Sequence, residues 1–239
     1  MRAILALILS TGLALGQTFI QKSYPVATGQ KIDLRFDYPE QVRVSTWDKN
    51  EVQIIGQVSI NAGENDDAFV LESSTDNNTV YVRNEIRNLK SLPHRITVIR
   101  GDDKITFKSK EDYHAYRDKH GVDWNMKSYG LDLEIKLEVK VPRNTQTKLE
   151  SVYGMVEVVN FFGPLLVEAT YGGVDVTVDE SKTGELIAET NYGQIYSNLN
   201  VALKGVEDGN FHTYVAAKPG SGPRYAFESK YGNVYLRKP

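Results

Sequence analysis

The chain has 239 residues, with 28 Lys and Arg against 31 Asp and Glu, a formal charge of −3 and no cysteine. Mixed signs without a basic block argue against nucleic acid as a partner, and the lack of cysteine excludes both a disulfide framework and a lipidated N-terminal cysteine. The fold must therefore be held by its own apolar core, in one large all-β domain or two small ones.

Met1-Arg2, an apolar run from Ala3 to Leu15 and the small-residue site at Ala14-Leu15-Gly16 read as an export signal over residues 1–16. The run is shorter than the roughly 20 residues that cross a bilayer, and no later stretch is longer or more apolar, so no membrane span is expected after cleavage. The expected location is periplasmic, outer-membrane-associated or extracellular, and the protein is not expected to be a lipoprotein.

Residues 17–100 are rich in strand signals: Lys31 to Phe36, Gln41 to Thr46, Val52 to Ile60, Phe69 to Glu72, Val80 to Arg83 and Arg95 to Arg100. Turn chemistry separates nearly all of them, at Tyr38-Pro39, Trp47 to Asn50, Asn61 to Asp66 and Thr75 to Asn78. They read as degenerate early coils with a cap. Residues 101–128 break the pattern as a charged insertion, in which Ser109 to Asp112 marks a helix start and Gly121 a stop, giving a short helix near Glu111 to His120. Within it Tyr113, Tyr116 and Trp124, with Asp102, Asp103, His114 and Asp123, form the patch richest in polar and aromatic groups. A solvated loop is the plainer account and a recognition loop the functional one.

Residues 129–239 open on an alternating strand from Leu131 to Val141 and then repeat. Glu-x-x-Tyr-Gly occurs as Glu150, Tyr153, Gly154; as Glu168, Tyr171, Gly172; as Glu189, Tyr192, Gly193; and as Glu228, Tyr231, Gly232, each followed by a second alternating segment. The wide gap before the last copy suggests one coil that has lost its signature. A short unit that turns once at a glycine and pairs with its neighbour predicts an all-β fold, a single-chain right-handed β-solenoid (β-helix-like) with a charged, partly helical insertion. Period-two alternation sends the Glu column outward and the Tyr column inward, favouring core packing of Tyr153, Tyr171, Tyr192 and Tyr231 over a sugar-stacking stripe, with each glycine supplying a positive φ. Tyr196 and Tyr235 have the opposite parity and are the expected ligand-facing pair.

These residues carry a family likeness. Val44 to Val52 (Val-Ser-Thr-Trp-Asp-Lys-Asn-Glu-Val), Val139 to Thr145 (Val-Lys-Val-Pro-Arg-Asn-Thr) and the Tyr-Gly-x-Val units together resemble the putative adhesins of bacterial cell envelopes, a family classed as a domain of unknown function. The resemblance implies a secreted solenoid with an adhesive or scaffolding role and brings no catalytic residues with it.

Stacked coils would bring Glu150 beside Glu168, or Glu168 beside Glu189, near the ~5 Å separation of retaining glycosidase carboxylates. Any outward Glu repeat gives that distance, and only Lys230 and Lys148 flank the column, which is thin support for chemistry. A calcium ion using this column with Glu157 and Asp175 is the milder alternative, although the aspartate-glycine pattern of calcium-binding β-rolls is missing. His94, His114, His120 and His212 do not converge in sequence as zinc ligands do. The expected function is thus a non-catalytic module contacting an envelope protein or a glycan, with a polysaccharide lyase or hydrolase as the alternative.

Overall fold

The computed structural model describes residues 17–76, 78–121, 124–208 and 211–239, and the side chains of 206–208 are excluded. The expected export signal lies outside the described residues.

In chain order the strands begin with β1 (Thr18–Pro25), β2 (Lys31–Phe36), β3 (Gln41–Trp47), β4 (Glu51–Ile60), β5 (Phe69–Thr75) and β6 (Thr79–Ile86). Next come β7 (Arg95–Arg100), β8 (Asp103–Phe107), helix α1 (Lys110–His120) and β9 (Met126–Gly130). The remainder is β10 (Leu133–Pro142), β11 (Thr147–Ser151), β12 (Met155–Val158), β13 (Leu165–Ala169), β14 (Val174–Thr177), β15 (Glu185–Thr190), β16 (Ile195–Ser197), β17 (Lys204–Asp208), β18 (His212–Ala217), β19 (Arg224–Ser229) and β20 (Val234–Arg237). The fold is all-β in class, with one short α-helix among the described residues. No helix of the described residues is long and apolar enough to cross a membrane.

Two mixed sheets share one core. The first runs β1-β4-β10-β3-β12-β14-β20-β16 and the second β17-β18-β15-β19-β13-β11-β2-β6-β5. Both are open, with edge strands at each end. Alternation decides which side chains enter: Leu34, Leu149, Val167, Phe227 and Ala188 form one in-register row of the second sheet, and Val44, Val158, Val176 and Leu236 one of the first, all essentially buried. Each Tyr-Gly corner carries the chain from the second sheet to the first, β11 to β12, β13 to β14, β15 to β16 and β19 to β20. Strands β2 and β3 make the same crossing at Tyr38-Pro39.

The repeats do not lie in sequence order. The final pair, β19 and β20, lies between β13 and β15 in one sheet and between β14 and β16 in the other. The gap in the repeat is not a coil that lost its signature but an antiparallel hairpin, β17–β18, on the edge beyond β15. The early segment is also mixed: β1 and β5 pair antiparallel with β4 and β6, so β2–β3 is its one parallel crossing of the two main sheets among the described residues.

The charged insertion is larger than its composition suggests. Arg95 to Arg100 belongs not to an early coil but to a separate three-stranded sheet, β8-β7-β9. Helix α1 is capped by Ser109, whose Oγ accepts from the Asp112 N–H, and ends at Gly121, φ 77°, whose N–H bonds to the Arg117 carbonyl. Together they enclose a second small core of Ile96, Val98, Phe107 and Tyr113. The buried Arg95 guanidinium, 2.6 Å from Glu64, ties this unit to the main body.

Candidate functional site: an exposed tyrosine ladder beside a carboxylate row

The inward placement expected for the Tyr column is overturned. Tyr153, Tyr171, Tyr192 and Tyr231 are 50, 56, 59 and 44 % exposed. The reason is local: strands β11, β13, β15 and β19 end two residues before each tyrosine, at Ser151, Ala169, Thr190 and Ser229. Period-two parity stops where the strand stops, and the corner turns the ring out to solvent.

Corner backbones continue the ladder. The Tyr171 N–H bonds to the Val152 carbonyl at 2.9 Å, Tyr231 to Thr170 at 2.9 Å and Tyr192 to Lys230 at 3.0 Å. The rings consequently stack in spatial order, with centroid separations of 5.3 Å for Tyr153–Tyr171, 5.2 Å for Tyr171–Tyr231 and 5.1 Å for Tyr231–Tyr192, nearly parallel throughout. Phe211, 76 % exposed, extends the row at 6.0 Å from Tyr192. Its φ of 67° is a left-handed conformation that bulky residues rarely adopt, a strain that functional surfaces often retain. Because neighbouring rings cover each other's faces, the ladder offers solvent its ring edges and phenol hydroxyls.

The small-residue column before the corner is buried, and two of its members share a specific task. The Ser229 hydroxyl donates to the Gly172 carbonyl at 2.7 Å and accepts from the Gly232 N–H at 2.8 Å. Thr190 repeats this with the Gly232 carbonyl and the Gly193 N–H. Ala169 has no hydroxyl with which to do the same.

The glycines act mainly by close approach rather than by φ. Of the four repeat glycines only Gly154 has positive φ, 83°. A Cβ on Gly172 would overlap the Gly154 carbonyl, one on Gly232 the Gly172 carbonyl and one on Gly193 the Gly232 carbonyl.

Three residues before each tyrosine, the glutamates line the outer face of the second sheet in the order Glu150, Glu168, Glu228, Glu189. Glu168 and Glu189 are thus not neighbours, and Glu228 sits between them. Lys148 bridges the row, with Nζ 2.7 Å from Glu150 and 2.8 Å from Glu168, and these hydrogen bonds hold its ammonium well above the ordinary lysine value. Arg35 lies 3.2 Å from Glu150. Burial pushes the Glu150 carboxyl up, but Lys148 and Arg35 outweigh it and the net shift is downward. His212 Nε2 is 2.8 Å from Glu189. Among the described residues Glu228 has no ion-pair partner; burial, then the charges of Glu168 and Glu189, raise its pKa.

A raised folded-state pKa on an acid means that the fold binds its proton more tightly than the unfolded chain. That group's contribution to stability is present below its ordinary value of 4.5 and is lost as pH rises through the raised one. Glu228→Gln is therefore expected to raise the melting temperature near pH 7 and to have no such effect near pH 4. With solvent screening of this half-open site the gain stays at about 2 °C or less. Thermal melts at the two pH values check this, and an equal gain at both would remove the electrostatic cause.

Two concavities flank the row. One, of about 240 Å³, opens among Glu168, Glu189, Glu228, Asn191 and Lys230. The other, about 410 Å³, lies on the far side, where Lys31, Lys148 and Arg224 surround Leu166, Ala226 and Tyr81.

The other expected site residues fall into two groups. Tyr196 and Tyr235 stack at 5.1 Å on the outer face of the first sheet, Tyr196 exposed and Tyr235 half-buried under the Arg237 guanidinium. Tyr113 is buried in the small core, with Tyr116 and Trp124 packed against it, so these three do not form a ligand-facing set. The sequence conceals this because part of the apolar surface they cover, Ile96 and Val98, lies outside the insertion's own charged stretch. Asp123 lies outside the described residues.

The acids named for calcium lie on two different sheets. Glu157 and Asp175 belong to the first sheet, where Arg43 and Arg237 hold them, whereas the Glu row belongs to the second. Among the described residues no group of three or more Asp, Glu or His is arranged to hold a metal.

No protein-family model and no curated protein sequence matches the chain. Among solved structures, the fold is similar to that of a putative cell adhesion protein from Clostridium sporogenes, with a TM-score of 0.50 and 10 % identity over 93 % of this chain and 100 % of the other. A putative adhesin from Bacteroides fragilis aligns over 93 % of this chain and 97 % of its own, at 12 % identity and a TM-score of 0.24. At this level of identity, what is shared with the Clostridium sporogenes protein is the fold.

Proposed function

We propose that this protein is a non-catalytic, adhesin-like binding module of the bacterial cell envelope that holds an extended glycan along its tyrosine ladder. The observation that carries this reading is the row of exposed rings from Tyr153 to Phe211. Its four tyrosines present a hydroxyl at every strand spacing, about 4.8 Å, a period close to the advance of one pyranose unit in an extended chain. The parallel carboxylates add acceptors for sugar hydroxyls or amino groups. Exposed aromatic surface of this extent is uncommon unless it meets a partner. The cell-adhesion name of the Clostridium sporogenes protein agrees with this use of the fold. We read the chain path as a right-handed β-solenoid with one coil out of order, exported by the signal in residues 1–16 to the periplasm or cell surface. Binding of this kind calls for no cofactor.

The test is affinity electrophoresis and calorimetry against a panel of neutral, acidic and amino-sugar polysaccharides. The double variant Tyr171→Phe, Tyr231→Phe keeps the stack and removes two hydroxyls; it is expected to bind about tenfold more weakly, roughly 1.4 kcal/mol. Tyr196→Ala, on the other sheet, is expected to bind as the wild type does. Unchanged affinity in the Phe variant, or no binding to any glycan by the wild type, would overturn the reading.

One observation favours a second reading, a glycan-cleaving site. Glu228 is raised in pKa and adjoins Glu168, whose carboxylate Lys148 pairs, on neighbouring strands. Release of new reducing ends or unsaturated products, lost in Glu228→Gln, would establish it, and their absence across the panel would dispose of it.

A further inference from the structure

We propose that the slot between the β13–β14 and β15–β16 coils is a strand-accepting site, able to take the final coil, Arg224 to Arg237, from a second copy of this chain. This goes beyond glycan binding and does not rest on it.

β15 to β18 precede β19 in sequence yet lie beyond it in space. The final coil is what joins them to the rest of both sheets, since among the described residues β15 pairs otherwise only with β18 and β16 only with β20, so two edges face one another across the place of one strand in each sheet, two strand spacings or about 10 Å. Each wall presents an unpaired parallel edge: Leu165 to Ala169 and Val174 to Thr177 on one side, Glu185 to Thr190 and Ile195 to Ser197 on the other. The apolar row between them, Val167 and Ala188, stays uncovered until Phe227 fills it.

An edge of this kind is read by backbone hydrogen bonds together with alternate side-chain pockets. The slot's requirements are specific. It needs Tyr225, whose hydroxyl donates to the buried Phe161 carbonyl at 2.7 Å, then Phe227, a small hydroxyl residue at Ser229, glycine at Gly232, and Val234 and Leu236 in the first sheet. The final coil carries this pattern, and every copy of the chain carries the same coil.

The connection permits the exchange. β18 and β19 are joined by Lys218-Pro219-Gly220-Ser221-Gly222-Pro223, which folds back on the turn at Ser181 to Gly184 through three backbone hydrogen bonds, from Gly184 to Pro223, Gly220 to Thr183 and Ser221 to Ser181. Prolines bias the residues before them, Lys218 and Gly222, towards extended backbone. Opening this hinge forfeits those few bonds, while the pairing in the slot is the same whichever copy supplies the coil. Exchange of an identical element is a low-cost route to dimers, and reciprocal exchange closes a two-fold pair.

The cysteine-free chain makes the test direct. Leu166 and Ala226 are cross-strand partners on the outer face. Full-length Leu166→Cys and Ala226→Cys chains are mixed, unfolded together, refolded over a range of concentrations and oxidised. The expected result is an interchain disulfide whose yield rises with concentration, with a dimer mass by light scattering of wild type refolded in the same way. A chain bearing both substitutions serves as the geometric control. A wild type that stays monomeric at every concentration overturns the proposal, as does a dimer without the interchain bond when the control chain closes its own.

Discussion

Gly172→Ala is expected to cost the fold about 3 kcal/mol. A methyl group at Gly172 would have to occupy the place of the Gly154 carbonyl, which is backbone and has no rotamer by which to move aside. The same corner is pressed from the other side, where a Cβ on Gly232 would meet the Gly172 carbonyl. Relief therefore requires prising apart coils whose tyrosine N–H groups and serine hydroxyls hold them in register. Total stabilities of natural domains are about 5–15 kcal/mol, so this is a large fraction, equivalent to a fall in melting temperature of roughly 10 °C for a chain of this size. Circular dichroism melts read it directly. Gly29→Ala is the control, because φ is 88° there but nothing lies near the added carbon. It is expected to lose about 1 kcal/mol. Equal losses at the two sites would sink the close-approach account of the repeat glycines.

Phe227→Ala is expected to lose about 3–5 kcal/mol. The ring is fully buried on β19, in register with Val167 on one side and Ala188 on the other. The small Ala188 leaves room that the ring fills, and a truncated side chain would leave a void between two strands whose backbone pairing prevents collapse. Chemical denaturation is the suitable measurement. Phe19→Ala, on an exposed ring at the edge strand β1, is expected to change stability by about 0.5 kcal/mol or less. If the two variants behave alike, the core does not reach to β19 as described.

Much of the architecture is legible in the repeat. Val167, Leu149 and Phe227 alternate with Glu168, Glu150 and Glu228, and the structure buries the first set and leaves the second on the outer face. Alternation is a property of a strand, and it misleads at Tyr171 because β13 has already ended at Ala169. The order of coils is not legible either. Four copies with the same Glu, Tyr and Gly pattern can lie beside one another in any order, and local sequence does not distinguish Glu168 beside Glu189 from Glu168 beside Glu228. The stretch between Ser197 and Arg224 is taken up by a hairpin that covers the far edge. Tyr113 illustrates a third limit: its partners Ile96 and Val98 come from a strand whose sequence resembles the main sheets, so nothing local says that they form a core of their own.

The position of β20 also bears on how the molecule would answer a mechanical pull. A tension applied at Arg237 along the strand acts on β20 between β14 and β16, while β19 is gripped by β13 and β15 in the other sheet. Two parallel ladders then resist in shear, with their bonds stretched together, whereas a hairpin such as β17–β18, pulled at its open end, peels one bond at a time. The strand that receives such a force is the one held on both flanks.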